Sequence, residues 1–187
     1  MSANASSSNL TSFQNAYQVL DKVTLGQNVF ISRFVNIYGC VIGDGCKIGS
    51  FVEIQKGVVI GKRCKVCTNI VLCSGVAIGE ECFIGNGTIF INDKYPRSTN
   101  AGGELEIFDD WKDRYIETKV GNRVSIGSNC TILGGITIGD QAVIGAGSVV
   151  TKNVPAGEVW AGNPAKKLYD VSYLQKREQE KSKLLAG

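Results

Sequence analysis

Apolar residues return at every sixth position along most of this chain, often with a glycine directly after them. The series of such positions is Ile42, Ile48, Ile54, Ile60, Val66, Leu72, Ile78, Ile84, Phe90, and then Val120, Ile126, Ile132, Ile138, Ile144, Val150. All of them are apolar although only 43% of the chain is hydrophobic. A fixed period must be interpreted before single elements, and a hexapeptide period is typical of a parallel β-helix.

The even period of six predicts short strands rather than helices. Residues six apart point to the same side of a strand, whereas a helix of 3.6 residues per turn does not return them to one face. The fourth residue after each of these aliphatic positions is small or apolar, so each hexad supplies one large and one small inward side chain. Three hexads form a triangular coil, and coils stack at about 4.8 Å. Looser hexads begin at Leu25, Ile31 and Ile37, with a one-residue slip before Ile42. We therefore predict an all-β chain with a β-helix domain over residues 17–160.

The two ends of the chain differ from this pattern. Residues 1–16 are rich in serine and asparagine, which predicts a flexible tail, and they lack the apolar core of a signal peptide. Residues 161–187 are predicted to form a C-terminal helical segment. Within them Lys166 to Leu185 contains no glycine or proline and is rich in helix-forming residues, and Pro164 precedes it, as is common at a helix start.

Composition excludes several classes of protein. The chain has 187 residues and a formal net charge of +3, which is too mild to indicate nucleic-acid binding. No stretch is apolar and long enough to cross a bilayer. An odd number of cysteines, seven, without a secretory segment fits a reducing compartment, so we expect a cytoplasmic protein.

The cysteines are interpreted as core packing rather than chemistry. Cys46, Cys64, Cys82 and Cys130 all occupy the small inward position of a hexad, where cysteine is a compact hydrophobic residue. Cys64 and Cys67 have the CxxC spacing of redox and zinc sites. Strand geometry points those two residues in different directions, however, and there is no second CxxC pair.

The period disappears between Phe90 and Val120, and this interruption predicts a loop insertion over residues 91–119. An insertion on one face of a repeat protein is often its binding site. The segment from Asn92 to Arg97 brings an amide, a carboxylate and a guanidinium to one turn. The alternative is a surface loop whose aromatic residues, Tyr95, Phe108, Trp111 and Tyr115, merely pack on the prism.

With the hexads, the sequence FINDKYPRS at 90–98 and the ending VVTKNVPAGEVWAGNPAKKL at 149–168 resemble the left-handed β-helix acyltransferases. More narrowly, the chain resembles the N-acetyltransferases that act on nucleotide-linked 3-amino sugars in surface-polysaccharide synthesis. The resemblance implies left-handed coils, a projecting loop, and a homotrimer with coenzyme A in a groove between neighbouring prisms. It also implies acetyl-CoA as acyl donor and a dTDP- or UDP-linked amino deoxy sugar as acceptor, with the amine at C3.

The same resemblance implies roles for single residues. Asn92 would hydrogen-bond and orient the acceptor amine, and Asp93 would either receive a proton or hold the loop in an Asx-turn. Gly134, in a Gly-Gly pair, would offer an amide N–H to the oxyanion or simply form a tight corner. The predicted substrate-binding residues are Asn69, Tyr95 and Arg97, the last of which is otherwise a solvated surface residue. The predicted coenzyme A-binding residues are Ala146, Lys152, Asn163 and Lys166.

The chain contains no histidine. A three-histidine zinc site is therefore excluded, and we predict no metal. Many hexapeptide acyltransferases use histidine as general base for a hydroxyl, which is a weak nucleophile without one. A neutral amine attacks a thioester directly, so the absence of histidine favours N-acetylation. Two alternatives stay open: a sugar O-acetyltransferase with a carboxylate base such as Asp93 or Glu53, and a non-catalytic β-helix scaffold.

Overall fold

A computed structural model of the chain describes residues 17–174 and 176–177, in which short strands form three parallel faces of a prism. The first face contains β1 (Gln18–Asp21), β4 (Val35–Tyr38), β7 (Glu53–Ile54), β10 (Val71–Leu72), β13 (Ile89–Phe90), β16 (Thr131–Ile132) and β19 (Val149–Val150). The second face contains β2 (Thr24–Leu25), β5 (Val41–Ile42), β8 (Val59–Ile60), β11 (Val76–Ile78), β14 (Thr118–Val120) and β17 (Thr137–Ile138). The third face contains β3 (Phe30–Ile31), β6 (Lys47–Ile48), β9 (Lys65–Val66), β12 (Phe83–Ile84), β15 (Ser125–Ile126), β18 (Val143–Ile144), β20 (Glu158–Gly162) and β21 (Ala165–Asp170). The predicted parallel β-helix is confirmed.

The register repeats every three strands. Glu53 pairs with Val71 and Val71 pairs with Ile89, so partners on the first face are 18 residues apart. Asn36 and Glu53 are only 17 apart, which is the one-residue slip seen in the sequence. We call the turn after each first-face strand the first corner, and the turns after second-face and third-face strands the second and third corners.

The interior is filled by the hexad positions. Ile42, Ile54 and Leu72 are completely buried, as are the other large aliphatic residues of the series to within a few per cent. The buried cysteines also satisfy corner carbonyls: the Sγ atoms of Cys46, Cys64 and Cys82 donate to Gly61 O, Gly79 O and Gly121 O at 3.0–3.1 Å. Cys67 is only half-buried while Cys64 is enclosed, so the CxxC pair does not point to one site.

Corner glycines let successive coils approach closely. A Cβ on Gly61 would lie 2.6 Å from both the carbonyl carbon and the carbonyl oxygen of Gly79 in the next coil. Side chains with a Cβ do not tolerate that distance, so the stacking of coils requires glycine here.

The C-terminal segment corrects one prediction. Lys166 was expected to begin the terminal helix, but it lies in β21, which pairs antiparallel with β20 from Glu158 to Asp170. The edge of β20 needs a partner, and Lys167 Nζ reinforces the hairpin with contacts of 2.8 Å to Glu158 and Asp170. Helical backbone begins only at Val171. The predicted tail 1–16 and the predicted helix beyond residue 177 lie outside the described residues. Within residues 17–174 and 176–177, the protein has no helix with the length and apolarity needed to span a bilayer.

Candidate functional site

The projecting loop leaves the prism at the first corner, between β13 and β14. Ile89 pairs with Thr131, 42 residues later, where the spacing is otherwise 18, so the loop adds 24 residues (42 − 18). It contains a short helix, α1 (Phe108–Trp111), followed by a 3₁₀ turn (Lys112–Arg114). The predicted insertion is therefore present, and the coil resumes above it in unchanged register.

Three hydrogen bonds close the neck of this loop, where its two ends meet the prism. Ile116 N donates to Asn92 O at 3.0 Å, which joins the ends to each other. Thr118 N donates to Gly75 O at 3.1 Å, and Asn92 Nδ2 donates to Ser74 O at 3.0 Å. The corner of the preceding coil thus holds both ends of the loop.

The side-chain amide of Asn92 has a fixed orientation. Ser74 O can only accept a hydrogen bond, so the atom facing it must be Nδ2, and Oδ1 faces the other way. Asn92 is 8% exposed. Within the described residues no hydrogen bond reaches Oδ1, and no fully buried side-chain nitrogen or oxygen lacks a partner. Oδ1 is therefore a solvent-accessible acceptor at the base of the loop.

Asp93 is tied into the loop by both carboxylate oxygens. Oδ1 accepts from Tyr95 N at 2.8 Å, which is the geometry of an Asx-turn, and Oδ2 accepts from Arg114 Nε at 2.9 Å. Arg114 also forms a bidentate pair with Glu106, at 2.8 and 2.5 Å. This network brings the two halves of the loop together and matches the loop-holding alternative for Asp93. Its role in proton transfer stays a prediction.

The Arg114–Glu106 pair makes the loop sensitive to acid. Hydrogen bonds from the Arg114 guanidinium lower the pKa of Glu106 below its ordinary value of 4.5. A lowered pKa means that the ionised form stabilises the folded loop above pH 4.5, and that this stabilisation is lost as the pH falls through the lower folded pKa.

We therefore expect the environment of Trp111 to be constant between about pH 7 and 5 and to change below about pH 4. The measurement is tryptophan fluorescence in a Trp160→Phe background, because the chain has only two tryptophans. Circular dichroism of the same samples monitors the β-helix. Glu106→Gln should remove the acid step and loosen the loop at pH 7. Identical acid transitions with and without Glu106 would contradict the assignment.

A cluster of titratable groups lies on the first face beneath the loop. Burial raises the pKa of Tyr38, and the neighbouring Glu53 carboxylate raises it further. Burial and then Glu53 raise the pKa of Cys73, while burial and then Cys73 raise the pKa of Tyr115. Near neutral pH the two phenols and the thiol stay protonated, so this surface offers hydrogen-bond donors next to one carboxylate.

Gly134 lies against the neck of the loop. A Cβ there would be 3.2 Å from Ile91 O and 3.3 Å from Asn92 Cα. The next residue, Gly135, has φ +80°, and its added Cβ would be 2.9 Å from Ile116 Cγ2. The loop's own backbone thus accounts for this glycine pair, as in the tight-corner alternative. An oxyanion role for the Gly134 N–H stays a prediction.

The remaining predicted residues are spread over two corners of the prism. Tyr95 is 77% exposed and Arg97 is exposed, both on the loop. Asn69 and Ala146 are exposed at the third corner, Lys152 is exposed at the first corner, and Asn163 and Lys166 are exposed in the terminal hairpin. One chain therefore brings Asn92, Asp93 and Gly134 together, but it does not bring Asn69 or Ala146 to them.

The sequence did not single out Arg114, Glu106, Gln55 or Ser74. Arg114 and Glu106 lie in the non-periodic loop, where spacing predicts no contacts. Gln55 and Ser74 follow hexad positions at the first corner, and their polarity at a corner directly below the loop was the available signal.

Comparison with known proteins identifies the repeats. The family "bacterial transferase hexapeptide (six repeats)" matches residues 22–56 and 117–152, and the "hexapeptide repeat of succinyl-transferase" matches residues 71–90. The chain is 32% identical over 156 residues to the bifunctional protein GlmU of Aquifex aeolicus, covering 82% of this chain and 29% of that protein. It is 49% identical over 53 residues to the galactoside O-acetyltransferase of Escherichia coli, covering 28% and 26% of the two chains. The matches thus span only about a quarter to a third of these relatives.

Solved structures share the fold at low sequence identity. A hexapeptide transferase family protein from Anaplasma phagocytophilum has a TM-score of 0.65 at 22% identity, covering 88% of this chain and 93% of that one. A mutant of AntD, an N-acyltransferase from Bacillus cereus in complex with dTDP and coenzyme A, has 0.58 at 18%, covering 89% and 93%. A mutant of the perosamine N-acetyltransferase from Caulobacter crescentus, in complex with CoA and GDP-perosamine, has 0.53 at 23%, covering 81% and 58%. These similarities establish the architecture.

Proposed function

The chain is a hexapeptide-repeat β-helix of the bacterial transferase type, and from this premise we propose that it is an acetyl-CoA-dependent N-acetyltransferase. The proposed acceptor is the amine, at C3, of a dTDP- or UDP-linked amino deoxy sugar. AntD and the perosamine enzyme, which bind coenzyme A and a nucleotide or nucleotide sugar in their structures, support this substrate class by analogy.

The observation that carries the proposal is the orientation of Asn92. Its Nδ2 is used by Ser74, so it offers a ligand the acceptor atom Oδ1. An amine presents N–H donors, and a hydrogen bond to Oδ1 would orient its lone pair toward the thioester carbonyl. An amide oxygen is far too weak a base to deprotonate a hydroxyl, so the same geometry does not activate an alcohol.

The chemistry then requires no histidine. The neutral amine attacks the thioester carbonyl, the C–N bond forms, and the carbonyl electrons move to oxygen. When the tetrahedral adduct collapses, the C–S bond breaks and the CoA sulfur leaves as thiolate. The new ammonium gives up its proton, and the thiolate takes one to become free CoA. Asp93 is engaged by Arg114 and by Tyr95 N–H, which disfavours it as the base that an O-acetyltransferase would need.

We further propose that the site is completed by neighbouring copies in a homotrimer. Asn69 and Ala146 lie at the third corner, away from the loop at the first corner. A neighbouring prism that presents its third corner to the loop would bring the sugar-binding and coenzyme A-binding residues together. Lys152 and Lys166 would then face the phosphates of the bound nucleotides.

The test is release of free thiol from acetyl-CoA with matched acceptor pairs. Each pair consists of a dTDP- or UDP-linked 3-amino sugar and the same nucleotide sugar with a hydroxyl at C3. We expect thiol release above background only with the amine of a pair. Release with the hydroxyl alone would replace the proposal by O-acetylation. Failure to bind coenzyme A in a calorimetric titration would favour the scaffold alternative.

A further inference from the structure

Asn92 stands at the end of a chain of hydrogen bonds that crosses three coils at the first corner. Gln55 Nε2 donates to Glu53 Oε1 at 2.8 Å, and Ser74 N donates to Gln55 Oε1 at 3.1 Å. Asn92 Nδ2 then donates to Ser74 O at 3.0 Å. Gln55, Ser74 and Asn92 belong to three successive coils, so each of the last two bonds connects one coil to the next.

Every group in this chain of bonds has only one possible orientation. Ser74 N–H can only donate, so Gln55 must present Oε1 to it, which leaves Nε2 for the Glu53 carboxylate. Ser74 O can only accept, so Asn92 must present Nδ2. The donors all point in the direction of Glu53, and donation from Nδ2 strengthens Oδ1 as an acceptor at the opposite end.

The Gln55 side chain supports a corner that has little other support. Ser74 lies outside the strands, between β10 and β11, and is followed by Gly75 at φ +88°. Gln55 fixes the peptide that carries the Ser74 N–H, on the opposite side of the residue from the carbonyl that receives Asn92. Both Gln55 and Glu53 are only half-buried, so neither is needed to fill the core.

We infer that Gln55, oriented by Glu53, is a positioning residue that sets the orientation of the Asn92 amide toward the acceptor. This inference rests on the proposed function. Gln55 does not touch the acceptor; it acts through Ser74. Without it the Ser74 corner is free to turn, and the Asn92 amide can rotate to present N–H donors, which do not pair with an amine N–H.

The test compares Gln55→Ala with Gln55→Glu. Alanine removes the acceptor for Ser74 N–H, whereas glutamate retains one. We expect Gln55→Ala to lower kcat for the amine acceptor about tenfold with an unchanged KM for acetyl-CoA, since small misplacements of reacting groups are costly. Gln55→Glu should restore kcat to within about threefold of the wild-type value. Lys56→Ala, an exposed neighbour on the same coil, is the matched control and should leave both constants unchanged.

Crystal structures of the wild type and of Gln55→Ala provide a readout that does not depend on activity. We expect the separation of Asn92 Nδ2 and Ser74 O to increase beyond hydrogen-bonding distance in the alanine variant. An unchanged separation overturns the inference, as does an unchanged kcat or an equal loss in Gln55→Glu. If the wild type acetylates no amine, the proposed function fails, and the separation alone decides whether Gln55 positions Asn92.

Discussion

Asn92→Ala is expected to lower turnover with the amine acceptor by about a hundredfold or more, the range found when one preorganised polar group is removed from an active site. The substitution removes the Oδ1 acceptor that faces away from Ser74, and with it the group proposed to orient the amine. It also removes the Nδ2 bond to Ser74 O, one of the three bonds at the neck of the loop. The measurement is kcat and KM for both substrates by thiol release.

The fold should tolerate this change. The neck keeps the bonds from Ile116 N to Asn92 O and from Thr118 N to Gly75 O, which involve only the backbone. We expect the thermal midpoint of Asn92→Ala to match that of Asn122→Ala, the control, which removes a similar bond from Glu80 N to a corner asparagine on the second corner. Asn122→Ala should retain wild-type turnover. Wild-type turnover in Asn92→Ala would remove this residue from the site, and equal losses in both variants would indicate general damage.

Gly61→Ala is expected to have the largest effect on stability of any single methyl added to the chain's second corner. Its Cβ would lie 2.6 Å from backbone atoms of Gly79, which belong to the next coil and have no flexible end to move aside. Overpacking of this kind typically costs about 1–3 kcal/mol, and more where only backbone can give way. At roughly 2–4 °C per kcal/mol for a domain of this size, the thermal midpoint should fall by about 6 °C or more.

Gly57→Ala is the matched control for Gly61→Ala. Gly57 has φ +81°, and a Cβ there meets nothing within 4 Å. Its cost is therefore the conformational one alone, about 1–2 kcal/mol. We expect Gly61→Ala to be clearly less stable than Gly57→Ala in thermal melts followed by circular dichroism. The reverse order would mean that the coils have room to separate, contrary to the distances at Gly61.

The β-helix could be predicted because its contacts repeat at a fixed sequence distance. Once Ile54 points inward, Leu72 must lie above it, so period and packing are the same information. The terminal strand could not be predicted in this way. Lys166 and Lys167 have good helix propensity, but β20 offered an unpaired edge, and pairing with that edge outweighed a preference of a few tenths of a kcal/mol per residue.

The candidate site was predictable only in part, for the same physical reason. Asn92 was found from its place at the break in the period. The orientation of its amide depends on Ser74, in a different coil, and the state of Asp93 depends on Arg114, 21 residues away. Contacts inside a non-periodic loop are set by its three-dimensional path, and sequence spacing carries no signal for them.

The unchanged register across the loop has a consequence for how such a protein diversifies. Phe90 pairs with Ile132 as Leu72 pairs with Phe90, although 24 additional residues intervene in the first case. The excursion begins and ends at one corner, and its attachment to the coil below consists of the bonds to Ser74 O and Gly75 O. A foreign segment of different length that supplies one side-chain donor and one backbone donor at these points should therefore be accommodated. Acceptor preference can then be exchanged by grafting, while the solenoid that stacks above and below stays untouched.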